Sequence, residues 1–214
     1  MTDAYFLDRG RSRLYRRDGR VFDGWAWQWR PGDGPPPPDG VAVDAATAIK
    51  ALRHNGKLRG VPVGVIGPRE ATAAQLRCAQ AVGSEIAALG APMICGGRSG
   101  VMEAAAKGAY EASGTTIGLL PDSEWREANE YIVIPIATGL GEARNMIIAK
   151  SCVVLVAVGN SYGTLTEVGF ALHFGKPVIG LEDPPKVEGV WEAASVGEAL
   201  VRLAELLLES AVAA

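Results

Sequence analysis

From Val61 onward, short apolar runs alternate with longer stretches in which apolar residues recur every third or fourth position. The first pattern is that of a buried strand, the second that of a helix with one packed face. Val61–Ile66, Pro92–Cys95, Thr116–Leu120, Tyr131–Ile136, Val153–Val158 and Val178–Leu181 are predicted strands. Thr72–Leu89, Val101–Ser113, Leu140–Cys152 and Val196–Leu208 are predicted helices. In Thr72–Leu89 the buried stripe is Leu76, Ala79, Val82, Ile86 and Leu89, and Gly90 ends it. A further helix follows Val153–Val158, with Leu165, Val168, Ala171 and Leu172 on its apolar face and Gly175-Lys176-Pro177 as its stop. Alternation of this kind predicts an α/β fold, a doubly wound, mostly parallel, Rossmann-like sheet with helices on both faces.

The N-terminal part reads differently. Residues 1–31 predict a small β appendage, with Asp18-Gly19 as a tight turn between Arg13–Arg17 and Arg20–Gly24. Trp25, Trp27 and Trp29 alternate, which in a strand puts them on one face. Arg9, Arg11, Arg13, Arg16, Arg17 and Arg20 make the segment basic. The simplest reading is a solvated arginine face with packed tryptophans. The alternatives are an RNA- or phosphate-binding arm and an interaction module for an oligomer or partner protein. Residues 32–40, with four consecutive prolines, form a stiff linker. Residues 41–214 are then the nucleotide-binding domain, opening with a short helix that starts near Asp44 or Ala45.

Composition narrows the function. With 214 residues, 48% of them hydrophobic and 21% charged, the chain can bury a full globular core. A net charge of -3 gives no general reason to invoke nucleic acid or an anionic membrane. No apolar run is long enough to span a bilayer, and the first residues lack the apolar core of a secretory signal. Cys78, Cys95 and Cys152 form neither a disulfide framework nor a zinc spacing, so a reducing cytoplasm is the simplest compartment. His54 and His173 have no partner at metal-ligand or triad spacing, so no metal is expected. Neither G-x-G-x-x-G nor G-x-x-x-x-G-K-[ST] occurs, which disfavours a dehydrogenase or an ATPase.

Three turns mark the candidate site: Gly67-Pro68-Arg69, Gly96–Gly100 and Gly159–Gly163. Each follows a predicted strand, where ligands of parallel sheets bind. Gly96, Gly97 and Gly100 let backbone approach a ligand, or serve only a sharp turn. Ser99, beside Arg98, binds a phosphate or caps the next helix. Glu103 either projects toward the site or pairs with Lys107. Arg144 and Asn145 lie in the first half of their predicted helix, where the arginine can fork onto a phosphate or sit solvated. The loop Gly159, Asn160, Ser161, Tyr162, Gly163 and Thr164 offers amides at a helix start. Thr164 and Glu167 spell a capping box. The alternative sets Gly163 and Thr164 on a phosphate with Glu167 near the sugar.

Read together, CGGRSGVMEAAAKGA (Cys95–Ala109), GLLP (Gly118–Pro121), GEARN (Gly141–Asn145) and YGTLTE (Tyr162–Glu167) resemble the SLOG superfamily. Its members include the lonely-guy (LOG) cytokinin-activating phosphoribohydrolases and the molybdenum-cofactor carrier proteins. The likeness spans about residues 60–210 and is greatest to the bacterial branch near the carriers. It implies a Rossmann-like fold, a homo-oligomer (dimer or tetramer) and a small phosphorylated ligand, a nucleoside monophosphate or the molybdenum cofactor, with no cofactor required. It also implies that Arg144 and Glu167 match the catalytic arginine and glutamate of the hydrolases. That branch carries P-G-G-x-G-T-x-x-E, of which Gly159–Glu167 keeps the G-T and the glutamate but not the P-G-G. Asn160 can adopt the left-handed conformation of a glycine, whereas Ser161 adds a side chain where backbone would meet phosphate. The expected function is binding of a nucleotide or phosphorylated cofactor. The alternative is a nucleoside 5′-monophosphate phosphoribohydrolase that cleaves the N-glycosidic bond.

Overall fold

The structure, a computed structural model, describes residues 5–54, 56 and 58–210. Residues 1–4 and 211–214, the outer ends of the predicted appendage and domain, lie outside the described residues. The chain divides into two compact units, one running to Gly60 and taking in the residues from Ala204 on, the other Val61–Leu203.

The first unit is an antiparallel sheet of β1 (Tyr5–Asp8), β2 (Arg13–Tyr15), β3 (Val21–Asp23), β4 (Gln28–Arg30) and β5 (Val41–Val43), followed by helix α1 (Ala45–His54). The strand order is β4-β3-β2-β1-β5. The Asp18-Gly19 turn forms as expected, with Gly19 at φ 84° and the Arg16 amide donating to the Arg20 carbonyl at 2.9 Å. The three tryptophans do not share a strand face. The Asp23 carboxylate accepts from the amides of Trp25 and Ala26 at 3.0 and 2.9 Å, and Trp27 is left-handed at φ 52°. The chain therefore turns at Trp25–Trp27, and only Trp29 lies in a strand. Trp29 is buried, stacks on Tyr5 and donates its indole N–H to the Leu208 carbonyl at 3.0 Å. Arg9, Arg11, Arg13, Arg17 and Arg20 are exposed, and Arg16 lies over the Trp29 ring at 4.8 Å. β5 was not anticipated from the sequence; it pairs with β1, with Val43 opposite Tyr5.

The second unit holds β6 (Val63–Ile66), α2 (Ala73–Leu89), β7 (Met93–Cys95), α3 (Val101–Glu111), β8 (Thr116–Leu120), β9 (Ile134–Ala137), α4 (Arg144–Ser151), β10 (Val154–Val158), α5 (Tyr162–His173), β11 (Val178–Leu181), β12 (Val190–Glu192) and the start of α6 (Val196–Glu209). Its seven strands are parallel in the order β12-β11-β10-β6-β7-β8-β9. The chain builds outward from β6 to β9, returns to the other side of β6 with β10, and continues outward to β12. Right-handed crossovers then put α2 and α3 on one face and α4 and α5 on the other. The α4–α5 face packs Ile66, Leu119, Ile148, Leu155 and Val168 into a buried cluster. This is the predicted doubly wound α/β fold.

Two boundaries shift by three residues or more, for local reasons. The predicted helix from Leu140 begins instead as a 3-10 turn, Gly141–Ala143, and α4 starts at Arg144. Gly139 and Gly141 are left-handed, at φ 64° and 56°, and their amides donate to Asp122 and Pro121 carbonyls at 2.9 Å each. β9 starts late because the Thr116 hydroxyl donates to the Tyr131 carbonyl at 2.6 Å and accepts from the Val133 amide at 2.9 Å, replacing ladder bonds there. β12, short and largely exposed, had no apolar run to announce it. No helix among the described residues is long and apolar enough to cross a membrane.

Glycine sets how closely α2 and α3 approach. A Cβ on Gly108 would lie 1.9 Å from the Gln80 carbonyl oxygen, and one on Gly83 would lie 2.0 Å from that of Ala105. Gly169, inside α5, has nothing within 4 Å of such a Cβ. Gly108→Ala is expected to destabilise by about 1–3 kcal/mol through overpacking, and Gly169→Ala to stabilise by about 0.4–1 kcal/mol. Urea unfolding of the two variants checks both signs.

Candidate functional site

The strand order reverses between β6 and β10, and the loops leaving those strands bound a cleft of about 710 Å³. Gly67 ends β6 where a Cβ would lie 2.4 Å from the Val158 carbonyl oxygen and 2.5 Å from a Val101 methyl. Only glycine lets the two loops come that close. Beyond β10 the chain turns at Gly159, φ 72°. The left-handed residue of this loop is thus Gly159 and not Asn160, which does not take up the conformation allowed it from the sequence.

Helix α5 opens at Tyr162, and its N-cap is Ser161, whose Oγ accepts from the Thr164 amide at 3.1 Å. This overturns the capping box read at Thr164 and Glu167: the start lies three residues earlier, and Ser161 takes the capping task. The Ser161 hydroxyl also bonds that of Thr164 at 2.8 Å, so its side chain serves the helix. The amides of Tyr162 and Gly163 have no intrahelical partner. Around Gly163 there is room, since a Cβ would meet only Ser161 Oγ at 3.7 Å and Asn145 Nδ2 at 4.0 Å.

Arg144 is the first residue of α4 and is only 3% exposed. Its Nη1 donates to Glu167 Oε1 at 3.3 Å and to Asn145 Oδ1. Its Nε, also buried, finds no acceptor among the described residues. The guanidinium lies over Gly96, where a Cβ would come 2.5 Å from Nη2. Gly96 therefore serves the site by making room for Arg144. Asn145 Nδ2 donates to Thr166 Oγ1 at 3.1 Å, and that hydroxyl donates to the Gly163 carbonyl at 2.7 Å. This chain of bonds locks the start of α4 to the first turns of α5. Burial is the largest influence on Glu167 and pushes its carboxyl up to about 7; Arg144 opposes the shift and Glu142 adds to it.

Of the residues predicted from the sequence, Gly67, Arg144, Asn145, Asn160, Ser161, Tyr162, Gly163, Thr164 and Glu167 line this cleft. Gly97 and Gly100 shape the β7–α3 turn, at φ 70° and 74°. Arg98, Ser99 and Glu103 line a second cleft of about 420 Å³, together with Arg69, Glu127, Asn129 and Glu130. There Arg98 is paired with Asp122 and, at 3.3 Å, with Glu127. Ser99 does not cap α3, whose N-cap is Gly100 without a side-chain bond. Lys107 meets Glu111 at 4.0 Å rather than Glu103. Met102, Glu142 and Thr166 also line the first cleft and were not singled out from the sequence. Met102, Glu142 and Thr166 do lie inside the CGGRSGVMEAAAKGA, GEARN and YGTLTE stretches, respectively.

Residues 60–206 match the SLOG cluster4 family. The chain belongs to this family. Among solved structures, the SLOG domain is similar to the molybdenum cofactor binding protein of the phototrophic bacterium Rippkaea orientalis, with 39% identity and a TM-score of 0.65 over 68% of this chain and 96% of that one. It is also similar to the molybdenum cofactor carrier protein of Chlamydomonas reinhardtii, with 43% identity and a TM-score of 0.64 over 69% of this chain and 98% of that one. An uncharacterised protein of Archaeoglobus fulgidus is 43% identical over 128 residues, 60% of this chain and 84% of that one. The family match leaves residues 1–59 outside the SLOG domain.

The Glu167 carboxyl has a testable consequence for the SLOG domain. It titrates near 4.5 ordinarily and near 7 when folded. Between those values the folded state holds a proton that the unfolded chain has lost, so this residue costs stability as pH rises through the window. Glu167→Gln is expected to flatten the fall. Urea unfolding from about pH 5 to 8 checks it, and equal slopes in the two proteins would mean that Glu167 is not held protonated.

Proposed function

We propose that the cleft at the β6–β10 reversal binds a small phosphorylated ligand, a nucleoside monophosphate or a phosphorylated pterin of the molybdenum-cofactor kind. The observation that carries this reading is the buried Arg144 guanidinium, with Nε unbonded among the described residues, beside the open first turn of α5. A phosphate there would receive the amides of Tyr162 and Gly163 at the positive end of the helix. Gly163 leaves that approach clear of a side chain. Arg144 would add a charge-assisted bond through a group whose orientation the protein already fixes. The volume, about 710 Å³, suits a ligand of nucleotide size. The pterin arm is supported by identities of 39% and 43% to proteins that bind or carry the molybdenum cofactor. The lining supplies nitrogen and oxygen donors for a phosphate and a heterocycle, and the buried thiol of Cys95 is not among them. The reading extends to a homo-oligomer, dimer or tetramer, for which Ile134, Ile136, Leu140 and Met146 supply exposed apolar side chains.

A second reading, hydrolysis of the N-glycosidic bond of a nucleoside 5′-monophosphate, is favoured by one contact. Arg144 and Glu167 meet at 3.3 Å within the cleft. Glu167 would then steady the developing ribosyl cation or hold water, with Arg144 orienting the phosphate.

AMP is expected to raise the melting temperature, equivalent to about 2.7 kcal/mol at a hundredfold excess over Kd. Arg144→Ala is expected to weaken binding by about tenfold or more, from loss of a charge-assisted bond worth about 1.5–3 kcal/mol. Thermal shift and calorimetry check both, with mass spectrometry of any co-purifying pterin. Release of adenine from AMP by the wild type and not by Glu167→Gln would replace binding with the hydrolytic reading. No shift with AMP or with a phosphorylated pterin would overturn both.

A further inference from the structure

The charge-bearing side chains lining the first cleft are two cations, Arg69 and Arg144, against three carboxylates, Glu70, Glu142 and Glu167. For a cleft that receives an anion, this balance has the wrong sign. Arg69, Glu70 and Glu142 are exposed, and solvent and salt screen them. What an incoming anion meets unscreened is the buried pair, Arg144 and Glu167, 3% and 6% exposed. Glu167 holds Arg144 by Nη1 at 3.3 Å, so an anion settling on that guanidinium competes with the carboxylate for it. Glu167 is itself buried, one turn into α5 with Thr164 and Val168 buried beside it, so bulk water does little to screen its charge. The groups facing it from neighbouring elements are Arg144 from α4, Glu142 from the preceding turn, Cys95 from β7, and Cys152 at the end of α4. Burial drives the two thiols up to about 11 and about 12, so both stay neutral. Among these groups Glu167 is left as the buried one able to relieve the excess negative charge.

We propose that Glu167 takes up a proton when an anion enters the cleft, and thereby sets how much negative charge a ligand can bring. The ligands this favours are phosphate monoesters bound together with one proton, and monoanions bound without one. Protonation removes the negative charge that competes for Arg144, while the neutral carboxyl keeps a hydrogen bond to Nη1 through its carbonyl oxygen and the guanidinium stays in place. This rests on the binding reading above and deepens it.

Calorimetry of AMP binding to the full chain tests it, in buffers of differing ionisation enthalpy near pH 7.5. At that pH the phosphate of AMP, with its second ionisation near pH 6, adds little of its own. Wild-type protein is expected to take up roughly half a proton or more per AMP, and Kd to rise roughly tenfold between pH 7 and 8.5. Glu167→Gln is expected to take up none and to bind AMP about tenfold more tightly than wild type at pH 8.5. If AMP binds wild type with no proton uptake, the inference falls and the binding reading stands. If AMP does not bind at any pH from about 6 to 8.5, both fall. Should the variant fail to fold, the proton count on wild type decides alone.

Discussion

A guanidinium buried against a carboxylate, at the place where two helices begin, constrains most of what surrounds it. Such a pair contributes little net stability, because taking both charges out of water costs about what their attraction returns. Its arrangement nonetheless demands several features at once. Gly96 must lack a side chain so that Arg144 can lie flat. α4 must start at Arg144 and no earlier, which the left-handed Gly139 and Gly141 enforce. α5 must be capped at Ser161 and open at Tyr162, so that Glu167 falls one turn inside and faces the arginine. These residues are scattered along the chain and converge because the strand order reverses between β6 and β10.

The fold of the SLOG domain was largely legible because a parallel sheet covered on both faces leaves a strong imprint: continuous apolar strands between amphipathic helices. Six of its seven strands carry that imprint. β12 does not, since it is an edge strand of three residues with little to bury. Residue-level errors arose where a side chain or a left-handed glycine overrode the pattern. Thr116 shortened β9 by bonding the backbone opposite it. Asp23 turned the chain among tryptophans whose spacing suggested a strand.

The candidate cleft was legible in two of the three turns: none of Gly96–Gly100 lines it, and Arg98 and Ser99 line the second cleft instead. Nearly all the residues of Gly159–Thr164, as their position after a strand suggested, share one cleft with Arg144 and Glu167, which the family resemblance singled out. The cap was misplaced at Thr164 because T-x-x-E spells a capping box, whereas the backbone makes Ser161, a capping residue three positions earlier, the N-cap. The task of Gly96 was hidden because its partner, Arg144, lies far along the chain. Arg98, in the second of the candidate turns, is held by Asp122 and Glu127.

The indole N–H of Trp29 reaches the carbonyl of Leu208, and the residues from Ala204 on belong with those up to Gly60. The first unit is therefore built from both ends of the described chain. As the polypeptide leaves the ribosome, strands β1 to β5 emerge early but lack the segment that completes them. The packing of the first unit is therefore complete only after the seven-stranded domain has been translated. Residues made long afterwards close the structure begun first.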